Sequence, residues 1–169
     1  MKAHAINTDN IDRIVVRVDS VTYAADIHEP ANGKQAQFSD AFSIAVAVLD
    51  DNASIFQYTD EKVVHPRVRA MIARIKIEVD TNLDQGYPDK RGSTAEIVLT
   101  AGRRYCGSIE NAKGEPEYPF GIAEIENKFL TLTRELLGDN AGRVRDMVWE
   151  LEKLADVSLL AACLGPNTR

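Results

Sequence analysis

The hydrophobic positions of the chain are most concentrated between Phe38 and Leu49, where only Ser39, Asp40 and Ser43 are polar. This run is too long for an ordinary strand and much shorter than the ~20 residues that cross a bilayer. A helix that is apolar on nearly every side has to be covered by other elements. The pattern therefore predicts a central buried helix over residues 38–49, with the Ser39 hydroxyl as its N-cap.

Four other stretches have the alternation or composition of β-strands. Residues 11–19 and residues 75–80 alternate between apolar and polar side chains, as half-buried strands do. Residues 95–100 and 103–109 flank Ala101 and Gly102, which is the spacing of a hairpin, with the glycine supplying a positive φ. The pattern predicts an antiparallel sheet of about four strands.

Helical periodicity accounts for most of the remaining chain. Residues 66–73 begin with a proline suited to the first turn of a helix, and residues 122–136 carry a regular three-four apolar stripe. Two further helices are predicted over residues 144–154 and 158–164, whereas residues 20–37 read as an irregular connection. The expected fold class is α+β, with helices packed on one face of the sheet.

Length and charge narrow the possible classes of protein. The 169 residues fit a single domain spanning 1–169, and the net charge of −6 argues against nucleic-acid and membrane partners. The first residues turn polar before any signal-peptide core forms, and Cys106 and Cys163 are far apart. We expect a cytoplasmic protein in which both cysteines are reduced and packed.

The sequence offers no arrangement typical of a metal or cofactor site. The three histidines, His4, His28 and His65, are widely spaced and no Cys/His cluster accompanies them. There is no Gly-rich phosphate loop and no nucleophile elbow. We therefore predict neither a metal nor a cofactor, and we interpret His65, which precedes Pro66, as structural.

A possible interaction surface lies on the face of the sheet that points away from the helices. Arg13, Val15 and Arg17 alternate with the inward residues of the first strand, and Val98 lies among the outward residues of the third. Trp149 falls on the side of its helix opposite the apolar stripe. These five residues are either a solvated surface with weak ion pairs or an interface with another subunit.

Several short motifs also occur in an order that resembles the C-terminal domain of the MmgE/PrpD family. This family contains 2-methylcitrate dehydratases, cis-aconitate decarboxylases and iminodisuccinate epimerases, and the likeness spans residues 11–164. The motifs are Phe38-Ser39, Pro66-x-Val68-x-x-Met71, Gly102, Gly114-x-Pro116-x-x-Pro119, Lys128-Phe129 and Leu151-Glu152-x-Leu154-x-Asp156-Val157.

The resemblance implies an α+β domain that closes over a larger, all-helical N-terminal domain, which this sequence does not include. It implies small di- or tricarboxylate substrates, with most acid–base residues in the helical domain. It also implies a ligand-binding tyrosine after the first strand, for which Tyr23 is the candidate, with His28 and Ser39 as further ligand-binding candidates. Tyr23 and His28 are the two catalytic candidates; alternatively, Tyr23 anchors the chain by packing and His28 is solvated.

Three functions remain open on these grounds. The first is a stand-alone lid domain that is not catalytic alone and acts through self-association, as a homo-oligomer, or through a protein partner. The second is a subunit of a split hydro-lyase, decarboxylase or epimerase that joins a separate helical-domain protein. The third is a binding protein for a small organic anion, with a carboxylate ligand beside Tyr23 and His28.

Overall fold

The computed structural model describes residues 6–165, which divide into two compact units, one ending at Glu115 and the other beginning at Pro116. His4 lies outside the described residues. Within residues 6–165, no helix combines the length and the apolar character needed to cross a bilayer. The expectation of a single domain over residues 1–169 stays a prediction.

The first unit is built on a four-stranded sheet. Its strands are β1 (Ile11–Val18), β2 (Ile75–Val79), β3 (Ser93–Leu99) and β4 (Arg104–Ile109), in the order β2-β1-β3-β4. The β1–β3 and β3–β4 pairs are antiparallel, whereas β1 and β2 are parallel. The predicted α+β class is confirmed. The sheet was predicted to be antiparallel, but it is mixed, because the long helical connection between β1 and β2 lets these two strands run parallel.

Among the described residues of this unit, six α-helices accompany the sheet, and two of them fall in the stretch 20–37 that was expected to be irregular. The Asp19 side chain caps the first of these helices, and the Asn32 side chain caps the second. Local capping of this kind stabilises single turns that hydrophobic periodicity does not reveal. The helices are α1 (Ser20–Ala25), α2 (Gly33–Ala36), α3 (Asp40–Asp50), α4 (Asp60–Val64), α5 (Pro66–Ile72) and α6 (Thr81–Asp84).

Helix α3 is the predicted central helix, and its burial is confirmed. Ser39 is its N-cap, because the Ser39 hydroxyl accepts a hydrogen bond from the Phe42 N–H at 3.3 Å. Phe42 itself is fully buried, whereas Phe38, one turn earlier, is 62% exposed. The core that surrounds α3 comes from the sheet and from α2, α4 and α5: Ile11, Ile14, Val16, Val18, Ala36, Val63, Val68 and Met71.

The second unit consists of α7 (Ile122–Leu137), α8 (Asn140–Trp149) and α9 (Ser158–Cys163). The predicted helix over residues 144–154 is too long at its C-terminal end, because Glu150 leaves the helical region at φ −116° and ψ 27° and a 3-10 turn, Leu151–Lys153, follows. The small core of this unit is Leu137, Ala141, Val144 and Cys163.

Two thiols were expected to be packed, and only one of them is. Cys163 is buried in the core of the second unit, as predicted. Cys106 is exposed, because it lies on β4 at the edge of the sheet, opposite Glu96 of β3. The interpretation of Cys106 as a packed thiol was therefore wrong.

We predict that Phe42→Ala destabilises the protein by about 3–5 kcal/mol, because it leaves a cavity under the sheet. Phe38→Ala is the matched control: the same truncation at a largely exposed site four residues away should change the free energy of unfolding by about 0.5 kcal/mol or less. Urea denaturation of both variants measures the difference. Equal losses would contradict the assignment of α3 as the core helix.

The Asp19 cap predicts that the free energy of unfolding depends on pH. Burial would raise the pKa of Asp19, but hydrogen bonds from the Thr22 hydroxyl and from the N–H groups of Thr22 and Val21 outweigh it and hold the pKa below its ordinary 3.8. A lowered folded pKa stabilises the fold above the unfolded pKa, and this contribution is lost as the pH falls through the folded pKa.

Asp19→Asn should therefore lower the free energy of unfolding by about 1 kcal/mol at pH 7, with the difference from wild type shrinking below pH 3.8. Denaturation curves from pH 7 to pH 2.5 measure this. Asp89→Asn, which removes an exposed carboxyl, controls for the general loss of negative charge. A difference that persists unchanged at pH 2.5 would show that the cap acts without its charge.

Candidate functional site

Tyr23 and His28 lie next to each other, as their proposed convergence on one cleft requires. Their ring centroids are 5.0 Å apart and the ring planes are tilted by 50°. Tyr23 is carried by α1, which begins directly after β1, and His28 follows the end of that helix. The turn of helix, rather than a loop, sets the distance between the two rings.

Asp26 connects His28 to the start of the central helix α3. Its Oδ2 atom lies 2.5 Å from Nδ1 of His28, and its Oδ1 atom accepts a hydrogen bond from the Asp40 N–H at 2.7 Å. The Asp26 side chain has no exposed surface, whereas the His28 side chain is 51% exposed. One buried carboxylate therefore joins the end of α1 to the beginning of α3. It also contacts Nδ1 of a half-exposed imidazole.

The contact between Asp26 and His28 is close, but it lacks the angles of a hydrogen bond, so Oδ2 of Asp26 has no hydrogen-bond partner among the described residues. Oδ2 of Asp40 is also buried without a partner there. Burial raises the pKa of the Asp40 carboxyl above its ordinary value, the negative charge of Asp26 raises it further, and His28 partly opposes the shift. Two interacting carboxyls and an imidazole are groups that can hold and exchange a proton.

A surface pocket of about 240 Å³ opens beside this cluster. Asp26 and Asp40 contribute to its wall, but Tyr23 and His28 do not. The Arg91 guanidinium, 5.4 Å from the centre of the Tyr87 ring, supplies positive charge at the same pocket. The other lining residues are Val21, Thr22, Ala25, Gln37 and Phe38.

Ser39, the third predicted ligand-binding residue, lies behind this cluster. Its side chain is almost completely buried, and its hydroxyl is engaged as the α3 cap. Its carbonyl oxygen also accepts a hydrogen bond from the Ser43 hydroxyl at 2.8 Å. These contacts give Ser39 a role in positioning the start of α3, and a direct contact with a ligand stays a prediction.

The sequence interpretation missed Asp26 and Asp40. Asp26 lies two residues before His28, a spacing that was available as a signal for a carboxylate–histidine pair. Asp40 was treated only as a polar residue near the start of the central helix. Nothing in the sequence shows that the fold brings the Asp40 N–H onto the carboxylate of Asp26, which lies 14 positions earlier.

The outward face of the sheet is covered by charged side chains. Lys76 and Val15 are cross-strand neighbours, and Val15 is also opposite Glu96. Val98 is opposite both Arg13 and Arg104. Long side chains of this kind lie along the surface of the neighbouring residues.

As a result, Val15 and Val98 are only 8% and 5% exposed, respectively, which differs from the accessible apolar positions that an interface was expected to offer. Arg17 pairs with Glu78 at 3.3 Å, and Arg13 pairs with Asp12 at 3.0 Å. An interface through this face stays a prediction, and its accessible part is polar.

Trp149 lies in the second unit at the end of α8 and is 48% exposed. It borders an apolar surface pocket of about 180 Å³ formed by α7 and α8. Phe129 and Val148 contribute to the apolar wall of this pocket, and Arg145 lies beside the tryptophan, as expected from the helical spacing. This indole is accessible, so it is available for a partner contact.

Within residues 6–165, no group of three or more His, Cys, Asp and Glu side chains is arranged to hold a metal ion. An imidazole that contacts a buried carboxylate through Nδ1 still has Nε2 for a second hydrogen bond, and a neighbouring phenol can donate one. This set can bind an anionic oxygen or transfer a proton, and the sequence alone named only the tyrosine and the histidine.

Comparison with known proteins places this chain in a family. The family model for the MmgE/PrpD C-terminal domain matches residues 1–153. The chain is also 24% identical over 163 residues to the cis-aconitate decarboxylase of Mus musculus, which covers 95% of the chain and 33% of that enzyme. The chain thus spans a third of the length of this relative. It belongs to the MmgE/PrpD family, as a C-terminal domain.

Proposed function

We propose that this chain forms the lid side of a site for a small di- or tricarboxylate, and that a helical protein surface supplies the other side. The observation that supports this proposal most directly is the half-exposed His28 imidazole, which contacts the fully buried Asp26 carboxylate and has Tyr23 beside it. Family membership and the similarity to a cis-aconitate decarboxylase support the class of ligand. A cytoplasmic location is part of the proposal.

In this proposal Tyr23 and His28 meet the carboxylate directly. The Tyr23 hydroxyl donates a hydrogen bond to a carboxylate oxygen, and Nε2 of His28 does the same or transfers a proton. The close contact of the Asp26 carboxylate with Nδ1 restricts the orientation of the imidazole. Ser39 contributes only indirectly, because as the N-cap it positions the first turn of α3.

The lid is not catalytic alone, because proton abstraction needs a base and a carboxylate clamp around one substrate. The second unit is the proposed docking surface for the helical partner. Its described residues expose many large apolar side chains, and clusters of this kind mark interaction surfaces. They include Ile122, Ile125, Leu136, Val148, Trp149 and Leu151.

A second candidate function is a binding protein for a small organic anion that works without a partner. The observation in its favour is the Arg91 guanidinium at the pocket beside the Asp26–Asp40 cluster, since a cation so placed attracts carboxylates. This candidate predicts tight binding by the isolated chain. The lid proposal predicts weak binding until the helical partner is present.

We predict that cis-aconitate binds the isolated chain with a Kd on the order of 1 mM, as a half-built site would. In NMR titrations the ring resonances of His28 should shift, whereas those of His65, which caps α5, should not. His28→Gln and Tyr23→Phe should each weaken binding about tenfold, because each removes one hydrogen bond to the anion.

Tyr118→Phe, at an exposed tyrosine of the second unit, is the matched control for loss of a phenolic hydroxyl and should leave the Kd unchanged. A Kd in the low micromolar range would favour the self-sufficient binding protein. A set of carboxylates that shifts neither His28 nor Tyr23 would remove the lid proposal, and a set that also leaves the resonances of Arg91 unchanged would remove the binding-protein candidate.

We predict that the chain co-purifies with a helical-domain protein of the same family when the two are co-expressed. Trp149→Ala should weaken that complex by about 30-fold, because an exposed tryptophan in an apolar pocket is a typical hot spot. Phe56→Ala is the matched control, since it truncates an aromatic side chain of similar exposure in the first unit. Equal effects of the two substitutions would contradict docking through α7 and α8.

A further inference from the structure

The edge of the sheet formed by β4 has the features of a strand that pairs with another strand. In the β3–β4 hairpin the Leu99 N–H donates to the Arg103 carbonyl at 2.8 Å, so these two residues form a hydrogen-bonded pair. Because the pattern alternates along an antiparallel ladder, Tyr105, Gly107 and Ile109 also turn their backbone groups toward β3. The N–H and C=O groups of Arg104, Cys106 and Ser108 therefore point away from the sheet.

The two edges of the sheet differ in how they resist pairing. Strand β2, at one edge, carries Lys76 and Glu78 within five residues. Strand β4, at the other edge, has no charged side chain and no proline from Tyr105 to Ile109. Charges and prolines are the usual devices that keep an edge strand from pairing. Among the described strands, β4 is the edge that lacks them at its centre.

Gly107 lies at the middle of β4. A Cβ atom built at this position meets no other atom within 4 Å, so the face of the sheet beside Gly107 is open and accepts a side chain. A glycine inside a strand often marks a place where another backbone approaches. The ends of the strand are complementary in charge, because Arg104 begins β4 and Glu110 follows it.

We propose that β4 pairs with β4 of a second copy of this chain, antiparallel, with Gly107 on the two-fold axis. This register places Arg104 opposite the partner's Glu110 and Cys106 opposite the partner's Ser108. The outward backbone groups then become the hydrogen-bonded pairs of the new ladder, and the two sheets join into one of eight strands.

Arg104 and Glu110 already pair within the chain, with Glu96 at 3.0 Å and with Lys90 at 2.9 Å. Both residues are largely exposed, and exposed ion pairs contribute little and rearrange readily. A register shifted by one residue on each strand would place Cys106 on the axis and Arg104 opposite a serine. The charges therefore favour the register centred on Gly107.

A disulfide test reports this register directly. In a Cys106→Ser background, Gly107→Cys places two thiols on the axis, in a non-hydrogen-bonded pair with Cα atoms about 4.5 Å apart, which is within disulfide range. Ser108→Cys in the same background is the matched control. It places the thiols roughly 8 Å apart, beyond that range. Cys163 is buried and is common to both variants.

We expect light scattering of the full-length wild-type chain to give twice the chain mass at high concentration, and mild oxidation to cross-link Gly107→Cys but not Ser108→Cys. Ser108→Pro should give a folded monomer, because it removes only an outward N–H; circular dichroism checks its fold. A wild-type monomer at all concentrations, or cross-linking of Ser108→Cys in preference to Gly107→Cys, would overturn the proposal. Neither result bears on carboxylate binding, so this inference and the proposed function fail separately.

Discussion

The burial of Phe42 beneath the sheet is the constraint on which the candidate site depends. Because this side chain fixes α3 in the core, the first turn of the helix has one position, with Ser39 as its cap. That position presents the Asp40 N–H to the Asp26 carboxylate, and Asp26 in turn contacts His28. A hydrophobic contact thus determines where an imidazole meets solvent. The site is a consequence of the core rather than an addition to it.

The same arrangement has an electrostatic cost where the Asp26 and Asp40 carboxyls lie close together. Asp26 and Asp40 bring two carboxyls into one buried cluster, where burial and mutual repulsion both disfavour the ionised form of Asp40. The start of α3 offsets part of this cost, because the N-terminal end of a helix attracts negative charge, and His28 offsets another part. Carboxyls that only stabilise a fold are usually paired, as Asp19 is by Thr22. Among the described residues, the buried Oδ2 atoms of Asp26 and Asp40 have no hydrogen-bond partner and lie beside a pocket, which fits a functional cluster better than a structural one.

How much the sequence predicts depends on the range of the interaction. The α3 helix, the alternating strands and the hairpin at Gly102 follow from local patterns, and the structure has them. The turns capped by Asp19 and Asn32 escape periodicity, because a few polar contacts stabilise each of them. The parallel β1–β2 pair and the Asp26–Asp40 contact are not local at all. Tyr23 was named through the family resemblance and His28 because it is close to Tyr23 in sequence, whereas Asp40 required the fold.

The two units differ in how many apolar side chains they bury. The first surrounds Phe42 with apolar side chains from the sheet and several helices. The core of the second is four residues, and only Leu137 and Val144 among them are large aliphatic side chains. A helical unit of this size with so small a core gains little stability from burial, so its exposed apolar residues need further cover. The docking proposal therefore rests on the second unit by itself, because its small core leaves the apolar side chains around Trp149 accessible to a partner.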